Sequence, residues 1–431
     1  MANMLDQPRY KCPLTAMQTV QSIPGAIPVL HSGPGCGQKL NDNGGTSGKF
    51  SPNIFPCTSI SEKEVVFGGE GKLRDTISNA IKILDAELFI VLTGCTSEII
   101  GDDVASVVEE FSDAPKSVIY ANTPGFKGTN YNGHDWVMNA IFEQYLPDEK
   151  PEVEKGLVNI FAGPPIQDPF WLGNLRQLES LIAELGLTPN TIFGHGRGVK
   201  NVDKIPSAEF NLLVSPWLGL EGVKILEKKY GTPYLHYPVL PIGAFETSKF
   251  LRAVGEFAKI SAEEVVGRHE SEFYYYIERY SDFFLEMRIM SKRFVVLSEA
   301  QYAIGITKFL VNDIGMFPTT QYVTDNPPEE IRPLIRDEFK KLNYGIEADV
   351  DFFTTGEEVH AKIRETDFAG FPLILGSSWD RQVAIETYGI FVNISYPVIE
   401  RMIINGGIAG YDGGLKLLED IYTVAAGRLI L

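Results

Sequence analysis

Five consecutive apolar residues, Leu88-Phe89-Ile90-Val91-Leu92, run straight into a polar turn, and beyond it Val104, Val107, Val108 and Phe111 recur at helical spacing. A run with no polar alternation is a strand buried on both faces, which requires a parallel sheet covered by helices. The turn carries Cys95 at the strand's carboxyl end. In open α/β sheets ligands are held there, because the loops converge on a crevice and helix N-termini point free N–H groups into it. A thiol so placed is poised to bind.

The same alternation recurs along the chain. Ile27-Pro28-Val29-Leu30 reads as a strand running into His31-Ser32-Gly33-Pro34-Gly35-Cys36-Gly37, which sets Cys36 on a second strand-end loop whose glycines let backbone approach a bulky ligand. Cys12 lies in Tyr10-Lys11-Cys12-Pro13-Leu14, ahead of a helical stretch over 15–20. Gly68-Gly69-Glu70-Gly71-Lys72 resembles a phosphate loop superficially, but the glycine-lysine-serine/threonine ending is missing, and the run reads as the start of a helix facing inward through Leu73, Ile77, Ile81 and Leu84. A charged, proline-containing linker over 147–156 leads to a second unit, with strands at 157–161, 210–214 and 234–239 and helices at 170–185 and 222–230. Residues 273–290 read as a long aromatic helix whose stripe of Phe273, Ile277, Tyr280 and Phe284 is an interdomain packing surface. Strands at 293–297, 349–353 and 371–375, a helix over 301–314 and a final helix over 415–426 make a third. The expectation is an α/β protein with parallel sheets, divided at 1–150, 151–291 and 292–431.

Composition narrows the function. Thirty-eight basic against 56 acidic side chains give a formal charge of −18, which argues against nucleic-acid phosphates as the main ligand. No run is long enough to cross a bilayer, and Met1 to Pro8 lacks the basic start and apolar core of a secretion signal, so a cytoplasmic protein is expected. Four cysteines, Cys12, Cys36, Cys57 and Cys95, all fall in the first quarter. In a reducing compartment they read as ligands, catalytic groups or buried thiols rather than disulfides. No CxxC pair is present, which disfavours zinc knuckles and the ferredoxin signature. Three single thiols on three loops can still converge on an iron–sulfur cluster, and Cys12, Cys36 and Cys95 are the candidates, with Cys57 read as a buried thiol. A catalytic thiol working with His31, His195 or His269 is the rival, against which stand the missing nucleophile elbow and the lack of a clear helix start at Cys36. His31 reads as a locally hydrogen-bonded strand-end residue.

At His31-Ser-Gly-Pro-Gly-Cys36 and Thr93-Gly-Cys95-Thr-Ser-Glu-Ile-Ile-Gly-Asp-Asp103 the chain resembles component-1 proteins of the nitrogenase superfamily. The cysteine intervals, Phe67-Gly68-Gly69 and Asn122-Thr123-Pro124-Gly125-Phe126 resemble the β-type subunit. Weaker turns at Leu172-Gly-Asn174, Pro241-Ile-Gly243, Leu375-Gly-Ser377 and Ala409-Gly-Tyr411 extend the likeness over nearly the whole length. The resemblance implies three Rossmann-like domains and an (αβ)2 heterotetramer with an α-type subunit. It also implies a P-cluster of the 8Fe-7S type shared at the subunit interface, with Cys12, Cys36 and Cys95 as this chain's three iron ligands. That cluster would relay electrons from an ATP-dependent iron–sulfur reductase to a metallocluster in the α-type partner. Two departures stand out: Gly125 replaces the serine of the family's Thr-Pro-Ser-Phe turn, and Gly35-Cys36-Gly37-Gln38 resembles the α-type loop. The long N-terminal extension of molybdenum β subunits is also missing. They direct the expectation to a nitrogenase-like relative such as methylthio-alkane reductase, which cleaves C–S bonds of small thioethers. The alternatives are an iron-only or vanadium nitrogenase β subunit, a cofactor-assembly scaffold, a tetrapyrrole-reducing relative and an unrelated nucleotide-sugar-binding protein.

Overall fold

A computed structural model describes residues 9–41, 55–286 and 292–427. The start at Met1 to Pro8 and the residue Met290, where the sequence reading ends the long helix, lie outside the described residues, as does the side chain of Phe284.

Three parallel sheets follow one another along the chain. The first comprises β1 (Ala26–His31), β2 (Leu88–Thr93) and β3 (Ser117–Ala121), in that spatial order. β2 lies in the middle with all six residues buried, as its unbroken apolar run requires. Leu30 donates to Pro56 O and accepts from Thr58 N, so a short stretch around Cys57 runs parallel to β1 at the sheet's edge. The second sheet has the order β5-β4-β6-β7, from β4 (Glu154–Phe161), β5 (Thr188–Asn190), β6 (Ala208–Val214) and β7 (Tyr234–Tyr237). The third contains β8 (Arg293–Ser298), β9 (Phe317–Pro318), β10 (Gln321–Val323), β11 (Val350–Phe352), β12 (Leu373–Gly376) and β13 (Ile390–Asn393). Its order is β11-β10-β8-β12-β13, with β9 also on β8. In the second and third sheets the strand order reverses beside the first strand, which opens a crevice at the carboxyl ends.

The helix Glu70–Ile83 buries Leu73, Ile77 and Ala80 against the first sheet, and Val104, Val107 and Val108 of the helix Val104–Glu109 complete that core. Two elements differ from the sequence reading. The long helix is Glu263–Glu286 and starts ten residues earlier; of its stripe Phe273 is buried and Ile277 packs on the core, whereas Tyr280 is exposed. The final helix is Gly410–Gly427. It opens on glycines because Gly413 and Gly414 press against the backbones of Ile408 and Gly243, where a Cβ would collide. That helix packs on β13 of the third sheet and on the helices Trp171–Glu184, Gly243–Ala258 and Glu263–Glu286 of the second unit, and one continuous apolar core joins the two. Among the described residues no helix is long and apolar enough to cross a membrane.

Candidate functional site

Each candidate thiol is delivered by a different connection at the carboxyl edge of the first sheet. Cys12 immediately precedes the turn Pro13–Ala16 and accepts Thr15 N at its carbonyl. That turn is pressed on the helix Asn130–Ala140 at Gly133, where any side chain would strike the Pro13 carbonyl. Cys36 corrects the sequence reading: a helix, Pro34–Asn41, does open there, and the thiol sits in its first turn with proline at the first position. Cys95 likewise is the first residue of a short helix, Cys95–Ile100, rather than part of an open loop.

Two of the three positions, Cys12 and Cys95, meet at Gly125. Thr123 ties its loop to the end of β2, its N–H donating to Thr93 Oγ1 at 3.0 Å and its hydroxyl to Thr93 O at 2.9 Å. Gly125 N then donates to Cys95 Sγ at 3.1 Å. A Cβ built on Gly125 would lie 3.1 Å from Cys95 Sγ and 3.2 Å from Cys12 Sγ, so both sulfurs flank one gap that a side chain here would crowd. Cys36 lies within electrostatic reach of both, since charge on Cys95 and Cys36 acts on Cys12 and charge on Cys95 acts on Cys36.

On the isolated chain Cys12 and Cys36 are exposed on one side and walled by protein on the other, and Cys95 is half-buried. That partial burial raises the Cys12 and Cys36 thiols above their ordinary range, with a backbone hydrogen bond at Leu14 and the Ser32 hydroxyl respectively opposing it. A raised thiol gives up its proton less readily, and a metal centre favours the thiolate. Among the described residues no three His, Cys, Asp or Glu side chains are placed to hold a single metal ion. Two thiols flanking one point, with a third within electrostatic reach, are a donor set of the kind that iron–sulfur centres take, in which each sulfur binds its own iron.

Cys57 has its thiol 3.6 Å from Ser32 O and accepts Ser59 N at 3.4 Å, half-buried against the first unit's core, and charge on it also acts on Cys36. His31 is fully buried, with Nε2 2.9 Å from Asp102 Oδ2 and Nδ1 3.2 Å from Thr58 Oγ1. Burial lowers its pKa despite the neighbouring Asp102 carboxylate. Asp102 also accepts Gly69 N at 2.8 Å, so Gly68-Gly69 pins a helix start to the His31 strand end. His195 is exposed, and His269 stacks on Tyr411 while reaching Glu184 at 2.7 Å; neither approaches a cysteine within hydrogen-bonding distance.

A second buried polar group was not foreseen from the sequence. Asp168 after β4, Trp217 after β6, Glu299 after β8 and Asp325 after β10 line a cavity of about 20 Å³, space for one water. Tyr131, from the helix Asn130–Ala140, donates to Glu299 at 3.1 Å, Trp217 to Asp325 at 2.8 Å and Tyr302 to Asp168 at 2.5 Å. Burial drives Asp168 and Asp325 up to about 7 and raises Glu299, so this junction of all three units holds protons that carboxyls ordinarily release.

The profile of the family described as nitrogenase component 1 type oxidoreductase matches residues 12–426. The chain belongs to this family. It is therefore an oxidoreductase-family protein. It is 24% identical to the nitrogenase molybdenum-iron protein beta chain of Clostridium pasteurianum, covering 97% of this chain and 92% of that one. It is 22% identical to a light-independent protochlorophyllide reductase chain of Heliobacterium modesticaldum over 94% of this chain and 77% of that one. The fold matches a solved structure titled "Nitrogenase Cp1 at pH 6.5" with a TM-score of 0.82 at 20% identity, covering 100% of this chain and 94% of that one. The α/β architecture with parallel sheets is thus the family's fold.

Proposed function

We propose that this chain is the β-type subunit of a nitrogenase-like two-component reductase, and that Cys12, Cys36 and Cys95 bind irons of a P-cluster shared with an α-type subunit. The observation that carries the reading is the gap at Gly125, flanked by the Cys12 and Cys95 sulfurs. The next residue, Phe126, is 59% exposed, Ile99 on the helix that Cys95 opens is 74% exposed, and the helix Glu62–Phe67 packed on that one leaves Val66 71% and Phe67 81% exposed, bare hydrocarbon that suits a protein partner better than water. The site thus reads as half of something, completed by the α-type chain of an (αβ)2 heterotetramer.

The cluster, when bound, would store and pass electrons between an ATP-dependent iron–sulfur reductase and a metallocluster in the α-type partner. This chain's own groups set the terms of binding. Partial burial raises the Cys12 and Cys36 thiols, and the Gly125 N–H holds Cys95 Sγ in place. A hydrogen bond to a ligating sulfur also withdraws electron density and favours the reduced state. The segments 1–150, 151–291 and 292–431 serve as three Rossmann-like domains, the first holding the cluster. Cytoplasmic placement follows from an oxygen-labile reduced thiol site.

The reaction we favour is reductive C–S cleavage of small thioethers, of the methylthio-alkane reductase kind, because Gly125 offers no side-chain oxygen where dinitrogen-reducing β subunits carry serine. Dinitrogen reduction is the second reading, favoured by relatives named as nitrogenase molybdenum-iron and vanadium-iron beta chains. The purified complex, supplied with ATP, its reductase and either dimethyl sulfide or dinitrogen, separates them. Methane with methanethiol supports the first, and ammonia as the main product overturns it. Fewer than about eight irons per αβ pair would overturn the P-cluster itself.

A further inference from the structure

The segment that brings Cys12 to the site is fastened at its other end to the third sheet. Arg9 N donates to Thr354 O at 3.0 Å. Its guanidinium places Nη2 2.7 Å from Asp380 Oδ1 and Nη1 2.8 Å from Ser377 Oγ, with both charged side chains buried. His360 Nε2 reaches the same Asp380 oxygen at 2.8 Å, and the guanidinium lies 5.4 Å from the centre of the Trp379 ring. Gly356 leaves the room this requires, since a Cβ there would stand 2.7 Å from Nη2.

Two residues on, Lys11 Nζ rests 3.6 Å over the Tyr396 ring, again on a third-sheet loop. The Lys11 backbone pairs both ways with Asn130, its N–H donating to Oδ1 at 2.8 Å and its carbonyl accepting Asn130 N at 2.9 Å. Arg9 and Cys12 are three peptide units apart, a span of at most about 11 Å, so a tether at Arg9 leaves the Cys12 sulfur little freedom. A buried, forked Arg–carboxylate pair is weak evidence for stability, and its best-attested use is to set register.

We propose that Arg9, locked to Asp380, is a positioning residue for Cys12, so that the third unit sets where one sulfur of the first unit's site stands. The role matters for electron transfer only if Cys12 is an iron ligand, and to that extent it rests on the function proposed above. The geometric claim is tested without metal. In the full-length chain freed of iron, phenylarsine oxide condenses with two neighbouring thiols, forming two As–S bonds and releasing water, and peptide mass spectrometry identifies the bridged pair. Cys12 and Cys95, whose sulfurs flank one point at Gly125, are expected to bridge in the wild type.

Arg9→Met is expected to lower that bridged fraction at least threefold while iodoacetamide labelling of Cys36 and Cys95 stays unchanged. The double variant Arg9→Met/Asp380→Asn, which strands no buried charge, is expected to do the same, so a folding failure of the single variant leaves the test standing. Unchanged bridging in the double variant overturns the proposal. Iron counts on the αβ complex separate the two ideas. Iron lost in the variants alone supports both, whereas a wild type without iron sinks the cluster reading and leaves the bridging result to decide the tether.

Discussion

Asp168→Asn converts the proton held at the buried junction into a measurable change of stability. The carboxyl ordinarily titrates at 3.8 and is driven to about 7 by burial. Well below 3.8 both the folded and unfolded forms are protonated and the group is neutral in the balance. As pH rises from there to about 7, the unfolded chain releases the proton and the folded chain does not, so stability falls, and above 7 the loss is complete. A displacement of about three units is worth about 4 kcal/mol in full, of which about 2 kcal/mol falls between about pH 5.5 and about pH 8. Asparagine fits the same space without a charge. Its Oδ1 keeps the Tyr302 hydroxyl and Phe170 N–H, and its Nδ2 meets Gln301, whose amide turns over to present oxygen. Urea unfolding of wild type and variant across that pH range gives the difference directly. The variant is expected to gain about 2 kcal/mol on the wild type as pH rises across that range. A difference that stays constant with pH, or shrinks, refutes a carboxyl that keeps its proton in the folded state.

Three further outcomes are expected. Cys95→Ala should remove most of the iron from the purified complex, and undiminished iron by elemental analysis would remove Cys95 from the ligand set. Gly125→Ala puts a methyl 3.1 and 3.2 Å from the Cys95 and Cys12 sulfurs, so iron occupancy should fall while the unfolding free energy of the chain changes by less than about 1 kcal/mol. Gly133→Ala drives a methyl into the Pro13 carbonyl and should cost about 1–3 kcal/mol in chemical denaturation, with iron lost as well because that turn carries Cys12.

The sheets were readable in the sequence because their strands announce themselves. Leu88–Leu92 has no polar residue to face water, so a buried parallel strand was its one outlet. Helix starts were harder. The glycines around Cys36 have poor helix propensity and concealed the helix Pro34–Asn41, although Pro34 at its first position was an available signal. Leu415 drew attention as the final helix's start because its apolar spacing begins there, whereas Gly410 to Gly414 serve close backbone contact that no local pattern encodes. The thiols could be picked out individually from their strand-end positions. The approach of Cys12 and Cys95 to Gly125 depends on separate connections closing on one another, which is a property of the assembled sheet. The buried acids were illegible for the same reason: Asp168, Glu299 and Asp325 come from separate strand ends, and only the folded chain gathers them round one cavity.

The docking of Gly410–Gly427 on the middle unit orders events during synthesis. The helix Gly243–Ala258 of that unit has left the ribosome long before the helix that covers it exists. At about 5–20 residues per second the wait is on the order of ten to thirty seconds, during which an apolar flank lies bare. The polypeptide thus cannot mature strictly from one end to the other, and its last stretch acts as a latch on a middle made well before it.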